Sequence, residues 1–354
     1  MQKEPSSSVS LKRSLSLPLL IFYGVGTMLG LGIYILLGEV VGEAGLLTPA
    51  AFIVAAVVAL FSGLSFGELS ARIPKSAGEM NFVHQAFNKP VLSAAIGWLI
   101  VLSGIVSTAT AVNGYVGYVH VFAELPPWFI MTAVVIILGG IAAWGITESA
   151  VTMMIITILE VGGLLFVIFI TGDVLSTVPE RLNEFIPSFS LADWSAIIPA
   201  AFLAFYTFIG FEDMVNVAEE VKNPQQNMPK GIWISLAIIA VLYLVIATIG
   251  SLAPINLAES EAPLAALLRT EGAGYAKIIS FIALIALING VLAQIVMGSR
   301  VLYGMAEKRM APEIFHHVHP KYRTPIWSTV LMAVVIIILA LSFNLTELAK
   351  ASNY

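Results

Sequence analysis

Acidic residues inside strongly apolar sequence are the positions at which this chain is best placed to do chemistry. Glu160 lies in the middle of one long apolar run, and Glu212 and Asp213 follow Gly210 in another. An ionised carboxylate is costly in such surroundings, so a residue of this kind is usually functional, paired or protonated. Uptake of a proton and binding of a small cation are the reactions open to it. A protonated structural glutamate is the alternative for Glu160. Simple solvation is the alternative for Glu212 and, more strongly, for Asp213.

A glycine-rich stretch offers a second chemistry, that of free backbone groups. Residues 24–32 read GVGTMLGLG and hold four glycines in nine positions. Each glycine weakens a helix interior by about 1 kcal/mol relative to alanine. A helix that breaks there exposes amides, which favour an anion, and carbonyls, which suit a cation. The alternative is that the glycines let neighbouring helices pack closely.

Several other kinds of site are excluded or poorly supported. The chain has no cysteine, which excludes disulfides, thiolate metal sites and cysteine nucleophiles. It shows no phosphate-binding Gly-x-x-x-x-Gly-Lys-[Ser/Thr] loop and no plausible Ser-His-Asp arrangement. His316, His317 and His319 crowd one loop, but no spaced carboxylate completes a metal site around them. We therefore predict neither an enzyme nor a resident metal or cofactor.

The composition places the chain in a membrane. Hydrophobic residues make up 58% of the 354 residues and charged residues only 11%, whereas soluble domains carry about 25% charged residues. The apolar excess must therefore face lipid, and the bilayer is the first expected partner. Lys and Arg form no basic stripe, so nucleic acid is not an expected partner.

Nine stretches are long and apolar enough to span a bilayer as helices, which need roughly 20 residues each. They cover residues 17–41, 48–71, 90–121, 128–145, 151–172, 195–217, 231–253, 275–306 and 326–343. Thirteen of the 17 Lys and Arg residues fall on one side if the N-terminus is cytoplasmic, and only Arg181, Arg269, Lys277 and Lys350 fall on the other. Because basic residues favour the cytoplasmic side, we predict an all-α polytopic protein of the cell membrane with a cytoplasmic N-terminus.

The glycine stretch and the acids after Gly210 lie in two spans that occupy corresponding places in the chain. The first contains the glycine stretch, the sixth contains Gly210 and the acids, and together they open two successive sets of five spans. Paired interruptions in corresponding places of two halves are typical of secondary transporters. The sequence thus predicts discontinuous helices one and six.

At these residues the chain resembles the amino acid–polyamine–organocation (APC) superfamily of amino acid permeases. Residues 24–34 are similar to its glycine-rich first helix, and residues 208–212 with 218–224 are similar to its sixth helix and the following turn. Residues 74–79 and 300–325 resemble two of its loops. The resemblance covers the chain from about residue 14 to its end.

The resemblance implies a five-plus-five inverted-repeat fold of the LeuT type. It assigns residues 1–16 to a cytoplasmic tail, 17–172 to the first repeat, 173–194 to an extracellular loop and 195–354 to an incomplete second repeat. Such permeases usually have twelve helices, so the chain is expected to be truncated after the ninth. A missing C-terminal segment or a second chain is the corresponding expected partner.

The same resemblance implies a substrate site between helices one and six. The carboxylate of an amino acid would accept from the amides of Gly30, Leu31 and Gly32. Its ammonium would meet carbonyls near Met28, Tyr206 and Ile209. Tyr206 and Phe208 would line or gate the side-chain compartment, although packing inside the bundle is an equal alternative for both.

The predicted function is secondary transport of amino acids or related amines by alternating access, coupled to protons or sodium. Glu160 lies where many relatives carry a lysine, and it is the predicted coupling residue together with Glu212, where relatives often have an acid. Asn113, Asn289 and Gln294 are expected to hold helices together. The alternative is an amino-acid-sensing or partner-binding remnant of the permease fold that does not transport.

Overall fold

The structure is a computed structural model that describes residues 11–120, 123–260 and 262–343, and helices form nearly all of it. The α-helices in these ranges are α1 Leu17–Ala44, α2 Thr48–Arg72, α3 Gly78–Phe87, α4 Pro90–His120, α5 Pro127–Trp144, α6 Ile146–Thr171, α7 Val178–Phe185, α8 Leu191–Tyr206, α9 Pro224–Ser251, α10 Pro263–Arg269, α11 Ala273–Glu307 and α12 Ile326–Ser342. Short 3-10 segments cover Gly45–Leu47, Gly172–Thr177, Glu212–Glu220, Leu257–Glu259 and Glu313–His316. Helices prevail because lipid offers no partner for a free backbone amide or carbonyl.

The predicted all-α membrane architecture is confirmed. In the part of the chain that is described, seven helices are long and apolar enough to cross a membrane, and α8 and α12 are shorter apolar helices. Each predicted span has its counterpart among α1, α2, α4, α5, α6, α8, α9, α11 and α12. The largest shifts of a boundary are at α8, which ends at Tyr206 because of the break that follows it, and at α9, which begins at Pro224 because proline is well accommodated in the first turn of a helix. The chain is a multi-pass membrane protein.

The outer surface of the bundle is apolar, as lipid contact requires. Phe169 and Val91 are each 84% exposed, and many other large apolar side chains of the helices are exposed as well, which is more apolar surface than water-soluble proteins normally show. At the centre, α1 packs against α6, α8, α9 and α11. Helix α1, which carries part of the predicted site, therefore lies at the centre of the bundle beside α8, which carries Tyr206.

The break predicted in the first span is wrong for this conformation, because Leu17–Ala44 is one continuous α-helix. Its glycines serve close packing instead. A Cβ at Gly24 would lie 2.4 Å from the sulfur of Met214, and one at Gly32 would lie 2.9 Å from the backbone of Thr207. The alternative reading of the glycine stretch is thus the one observed.

The break predicted in the sixth span is confirmed. Helix α8 ends at Tyr206, residues 207–211 form turns, and the chain continues as the 3-10 segment Glu212–Glu220. Gly210 has a φ of +125°, a conformation that residues with a Cβ rarely adopt. Glycine at this position lets the helix stop inside the bundle.

The end of the bundle at which α1 begins, called the tail side below, is closed by contacts among distant segments. Ser14 and Leu15 donate backbone bonds to the carbonyl of Glu220, at 2.9 and 3.0 Å. Ser14 also accepts a bond from Thr147, and Lys75 pairs with Glu307 at 3.2 Å. These contacts bring the N-terminal segment, the loop before α3, the start of α6 and the end of α11 together.

A fully buried ion pair lies within this closure. The Nε of Arg300 donates to Oε2 of Glu220 at 3.0 Å, and its Nη2 donates to Oε1 at 3.2 Å. Both side chains are 0% exposed. Arg300 also donates to the hydroxyl of Ser299 at 2.9 Å. The pair ties α11 to the segment that follows the break in the sixth span.

Candidate functional site

A cavity of about 370 Å³ lies where the middle turns of α1, α4 and α11 meet the break after α8. Its walls combine apolar side chains with the polar groups of Thr27, Ser107, Thr110, Asp213 and Gln294. Such a mixture suits a small molecule that carries both charged and apolar parts. A groove of about 280 Å³ between α2 and α9 is lined by apolar side chains alone, so it offers no group for a charged ligand.

The break in the sixth span is fixed directly against α1. The hydroxyl of Thr27 lies 2.8 Å from the carbonyl oxygen of Gly210 and 2.9 Å from that of Gly24. The amide of Gly210 donates to Oε2 of Glu212 at 2.9 Å. A Cβ on Gly210 would lie 2.6 Å from the carbonyl oxygen of Thr27. The two elements therefore touch through their backbones at the wall of the cavity.

The predicted residues of α1 are only partly placed as expected. Met28 and Gly32 line the cavity, and the carbonyl of Met28 accepts a bond from the hydroxyl of Tyr243 at 2.8 Å. The side-chain environments of Gly30 and Leu31 lie outside what the structure describes. Because the described backbone of α1 is a continuous helix, amides at these positions are engaged within it in this conformation.

The predicted residues of the sixth span divide into two groups. Tyr206 and Ile209 line the cavity, and the carbonyl of Tyr206 accepts a turn bond from the amide of Ile209 at 3.3 Å. Phe208 is 1% exposed and packs edge to face on Tyr243, with 5.3 Å between ring centroids. Phe208 thus contributes to the packing behind the cavity rather than to its wall.

Glu160 lies apart from the cavity, in a buried polar cluster beside α1. Asn289 of α11 donates through Nδ2 both to Oε2 of Glu160 and to the hydroxyl of Thr157, at 3.2 Å each. Within the described residues, Oε1 of Glu160 and Oδ1 of Asn289 have no hydrogen-bond partner although both are buried. Two unpartnered oxygens are unusual in a bundle core, and each is able to accept a proton donor or contact a cation.

Two residues that line the cavity were not predicted from the sequence to be part of the substrate site. Asp213 was expected in solvent and Gln294 between helices, yet both line the cavity. Gln294 donates through Nε2 to Oδ2 of Asp213 at 3.0 Å. For Gln294, the available signal was a polar residue in the apolar sequence of α11. The direction of the Asp213 side chain could not be predicted, because the 3-10 segment beginning at Glu212 does not follow the 3.6-residue period of an α-helix.

Glu79 of α3 extends the acidic region towards the tail side. Its Oε1 accepts from Nδ2 of Asn216 at 3.2 Å, and the Oδ1 of Asn216 accepts from the amide of Gly78 at 3.0 Å. Burial raises the pKa of the Glu79 carboxyl to about 7; the negative charge of Glu212 also raises this pKa, and the bond from Asn216 lowers it. Sequence reasoning gave Glu79 no role beyond its loop motif.

The raised pKa of Glu79 predicts that stability depends on pH. The folded protein holds this proton more tightly than an unfolded chain does, so the contribution of Glu79 to stability is fully present below about pH 4.5 and is lost as the pH rises through about 7. We expect the unfolding midpoint of the purified protein to fall by on the order of a few degrees across this window. Glu79→Gln removes that component, and a profile unchanged by the substitution would contradict the assignment.

The sequence matches the family described as amino acid permease over residues 15–354. It is 28% identical to the branched-chain amino acid permease BcaP of Bacillus subtilis, covering 98% of this chain and 78% of that protein. It is 28% identical to a methylthioribose transporter of the same species, with 98% and 79% covered. The cationic amino acid transporter 3 of Arabidopsis thaliana is 27% identical, with 96% of this chain and 59% of that protein covered.

The fold is similar to that of MhsT, solved in complex with L-phenylalanine. The TM-score is 0.60 at 16% identity, and the match covers 94% of this chain and 79% of MhsT. This likeness supports the predicted LeuT-type fold, while the boundaries drawn for the two repeats stay predictions. Since the family match extends over nearly the whole sequence, the chain belongs to the amino acid permease family.

Proposed function

We propose that this permease moves amino acids or related amines across the cell membrane by alternating access, with the substrate held in the cavity between α1 and the break after α8. The observation that carries the proposal is the hydrogen bond that the hydroxyl of Thr27 donates to the carbonyl oxygen of Gly210 at the cavity wall. A ligand placed there touches both elements at once. It can therefore favour one arrangement of the pair over another, as any ligand-driven change requires.

The charged ends of an amino acid have different requirements at this site. An ammonium needs acceptors, which carbonyls of the break near Tyr206 and Ile209 supply. A carboxylate needs donors, and we assign it to the amides of Gly30, Leu31 and Gly32. These amides become free only if α1 opens locally, which the low helix propensity of glycine favours. Binding is thus proposed to interrupt α1 in the way that Gly210 already interrupts the sixth span.

We assign ion coupling to Glu160, with Asn289 as its partner. The unpartnered Oε1 of Glu160 and Oδ1 of Asn289 would receive a proton donor or a sodium ion. Gly26 of α1 lies against the same cluster, since a Cβ there would be 2.3 Å from the hydroxyl of Thr157. A proton donor or sodium ion bound in this cluster would therefore act directly on the packing of α1. Glu212, bonded to the amide of Gly210, is proposed to act on the break.

We also place the tail side in the cytoplasm. The loops that meet there carry most of the Lys and Arg residues, and such residues favour the cytoplasmic side. The conformation described would then be closed towards the cytoplasm, with Glu220 and Arg300 inside the closure.

Counterflow into proteoliposomes tests the proposed function. Vesicles loaded with unlabelled amino acids are expected to accumulate labelled amino acid above protein-free vesicles. Binding without accumulation would contradict transport and favour the sensing alternative. Absence of both would contradict the proposal altogether.

Glu160→Gln tests the coupling assignment, because it removes the titratable charge while keeping the size of the side chain. Uptake driven by a proton or sodium gradient is expected to fall at least roughly tenfold, while counterflow, which needs no gradient, persists. Glu148→Gln, at an exposed position of the same helix, is the matched control and should behave as wild type. Imposing each gradient separately identifies the ion. Undiminished gradient-driven uptake by Glu160→Gln would remove Glu160 from the coupling step.

A further inference from the structure

A second cavity lies on the tail side, among the loops that close that end of the bundle. It has a volume of about 610 Å³, within the range of small-molecule sites. None of the described residues that line it also lines the substrate cavity. Its charged lining residues are four bases and one acid, namely Lys12, Arg13, Lys75, Arg323 and Glu219. A cavity whose wall carries an excess of one charge attracts ligands of the opposite charge, so this tail-side cavity favours an anion.

The four bases come from three separate segments of the chain. Lys12 and Arg13 precede α1, and both are exposed. Lys75 lies in the loop between α2 and α3, and Arg323 lies in the loop between α11 and α12. The bias of basic residues towards the cytoplasm accounts for their presence on the tail side but not for their convergence on one cavity. Like charges held close together repel one another, and an anion between them offsets that repulsion.

The carboxylates near these bases do not balance them. Glu219 is 9% exposed, and its Oε2 accepts a bond from the amide of Ser76 at 3.2 Å. The Nζ of Lys75 pairs with Glu307 at 3.2 Å, with side chains 47% and 30% exposed, and such partly exposed pairs contribute little to stability. The ammonium of Lys75 has three donors, so it can bind an anion as well. Two carboxylates therefore face four bases.

The loop before α12 holds Arg323 at the tail-side cavity in an unusual backbone conformation. Arg323 has a φ of +57°, in the left-handed region that residues with a Cβ seldom adopt. Its amide donates to the carbonyl of His319 at 2.8 Å, and the amide of His319 donates to the carbonyl of Thr324 at 3.0 Å. Strained residues of this kind cluster at ligand clamps, and the planar fork of a guanidinium matches the oxygens of a phosphate.

We propose that the tail-side cavity binds a phosphate group through Lys12, Arg13 and the bases of the two loops, and that the bound phosphate holds the tail side closed. A phosphate directs its oxygens tetrahedrally and accepts several charge-assisted hydrogen bonds, which suits bases that come from three segments. Its source is either a soluble phosphate or the headgroup of an anionic phospholipid, because the bases lie only a few residues from the ends of α1, α2 and α12.

The bound phosphate acts on the closure through the segment that precedes α1. The residues directly after Arg13, Ser14 and Leu15, donate their amides to the carbonyl of Glu220. The hydroxyl of Thr147 donates to that of Ser14 at 2.7 Å. An anion that ties Lys12 and Arg13 to the two loops restrains this segment in its closed position. Since opening of the tail side breaks these contacts, the phosphate favours the closed conformation.

The closing experiment measures the unfolding midpoint of the purified full chain in detergent, at constant pH and ionic strength. One arm adds inorganic phosphate in place of chloride, and the other adds dioleoylphosphatidylglycerol in place of dioleoylphosphatidylcholine. At least one of these anions is expected to raise the midpoint of wild type by roughly 2–5 °C at saturation. The double variant Lys12→Gln with Arg13→Gln should lose most of that rise. Arg269→Gln with Lys277→Gln also removes one lysine and one arginine, from exposed positions at the other end of the bundle, and should keep the rise.

Alkylation of Ser14→Cys reports on the closure itself. The chain has no other cysteine, and Ser14 does not line the tail-side cavity, so the anion does not cover the thiol directly. The anion that raises the midpoint is expected to slow this alkylation at least roughly threefold. The same anion should have little effect when Lys12→Gln and Arg13→Gln are also present.

Each result bears on the inference. A rise with phosphatidylglycerol alone supports a lipid headgroup as the source, and a rise with inorganic phosphate alone supports a soluble anion. If neither probe raises the midpoint of wild type, the site is overturned without recourse to any variant. An equal rise in wild type and in Lys12→Gln with Arg13→Gln would also overturn it, because phosphate would then act as a general stabiliser.

Two further readings complete the test. A raised midpoint without slower alkylation of Ser14→Cys would overturn the role of the phosphate in the closure. Cooperative unfolding of Lys12→Gln with Arg13→Gln in the absence of either anion shows that this variant is folded. None of these measurements requires transport, so a failure of the proposed function is seen separately, in counterflow.

Discussion

Arg300→Met is expected to lower the free energy of unfolding by about 3–5 kcal/mol. Arg300 and Glu220 are both 0% exposed and share two hydrogen bonds. Removing the guanidinium leaves the carboxylate of Glu220 buried without a counter-charge, and that uncompensated charge is the main cost. The measurement is equilibrium unfolding of the purified protein in detergent, followed by circular dichroism.

Two further variants separate the buried charge from a general effect of mutation. Arg72→Met removes one partner of the pair with Glu68, whose side chains are 73% and 63% exposed, and should cost less than about 1 kcal/mol. The double variant Arg300→Met with Glu220→Leu removes both charges and should recover most of the stability. An Arg300→Met protein as stable as Arg72→Met would contradict the account of the tail-side closure.

Gly210→Ala is expected to reduce substrate binding at least roughly tenfold, which corresponds to about 1.4 kcal/mol. A φ of +125° is strained for any residue with a Cβ, at a cost of about 1–3 kcal/mol. The added methyl would also lie 2.6 Å from the carbonyl oxygen of Thr27 and 3.0 Å from the amide nitrogen of Met28. These are backbone atoms of α1 and cannot turn aside as a side chain can. The break and α1 must therefore separate, and the cavity wall changes shape.

The control for this prediction is Gly162→Ala in α6. A Cβ there meets nothing within 4 Å, and alanine favours a helix interior over glycine. Its binding and counterflow should match wild type. Full binding by Gly210→Ala would show that the contact of Gly210 with Thr27 does not shape the substrate site.

The helices could be predicted from the sequence because a single physical requirement determines where they form. A span in lipid must satisfy its own backbone and must be long enough to cross, so the length of apolar runs predicts helices directly. The break at Gly210 was also predictable, since an isolated glycine beside two acids in an apolar run is unfavourable to a continuing helix.

The glycines of α1 show where that reasoning ends. Glycine permits both a broken helix and a close helix contact, and the sequence does not say which neighbour comes near. In the structure, Met214 packs against Gly24, and Thr207 packs against Gly32. These contacts join positions far apart in the chain, and they fill the space that a Cβ would occupy.

Side-chain direction was the other limit. Arg300, at the end of the eighth predicted span, was counted with the basic residues of the cytoplasmic side, yet its side chain is buried against Glu220. Glu212 and Asp213 are adjacent, and only Asp213 lines the cavity. In a 3-10 segment each residue turns by about 120° rather than 100°, so a helical reading misplaces the faces. Pairing and direction both depend on contacts that no local pattern records.

Substrate protection of a single introduced cysteine tests the central claim most directly, because the chain has no cysteine of its own. Ala111→Cys places a thiol at the cavity wall, and Ala192→Cys places one at an exposed position in the first turn of α8. The account predicts that an amino acid active in counterflow slows alkylation of Ala111→Cys at least roughly tenfold and leaves Ala192→Cys unchanged. Equal alkylation of Ala111→Cys with and without that amino acid, in a protein that still transports it, would place the substrate elsewhere and contradict the account.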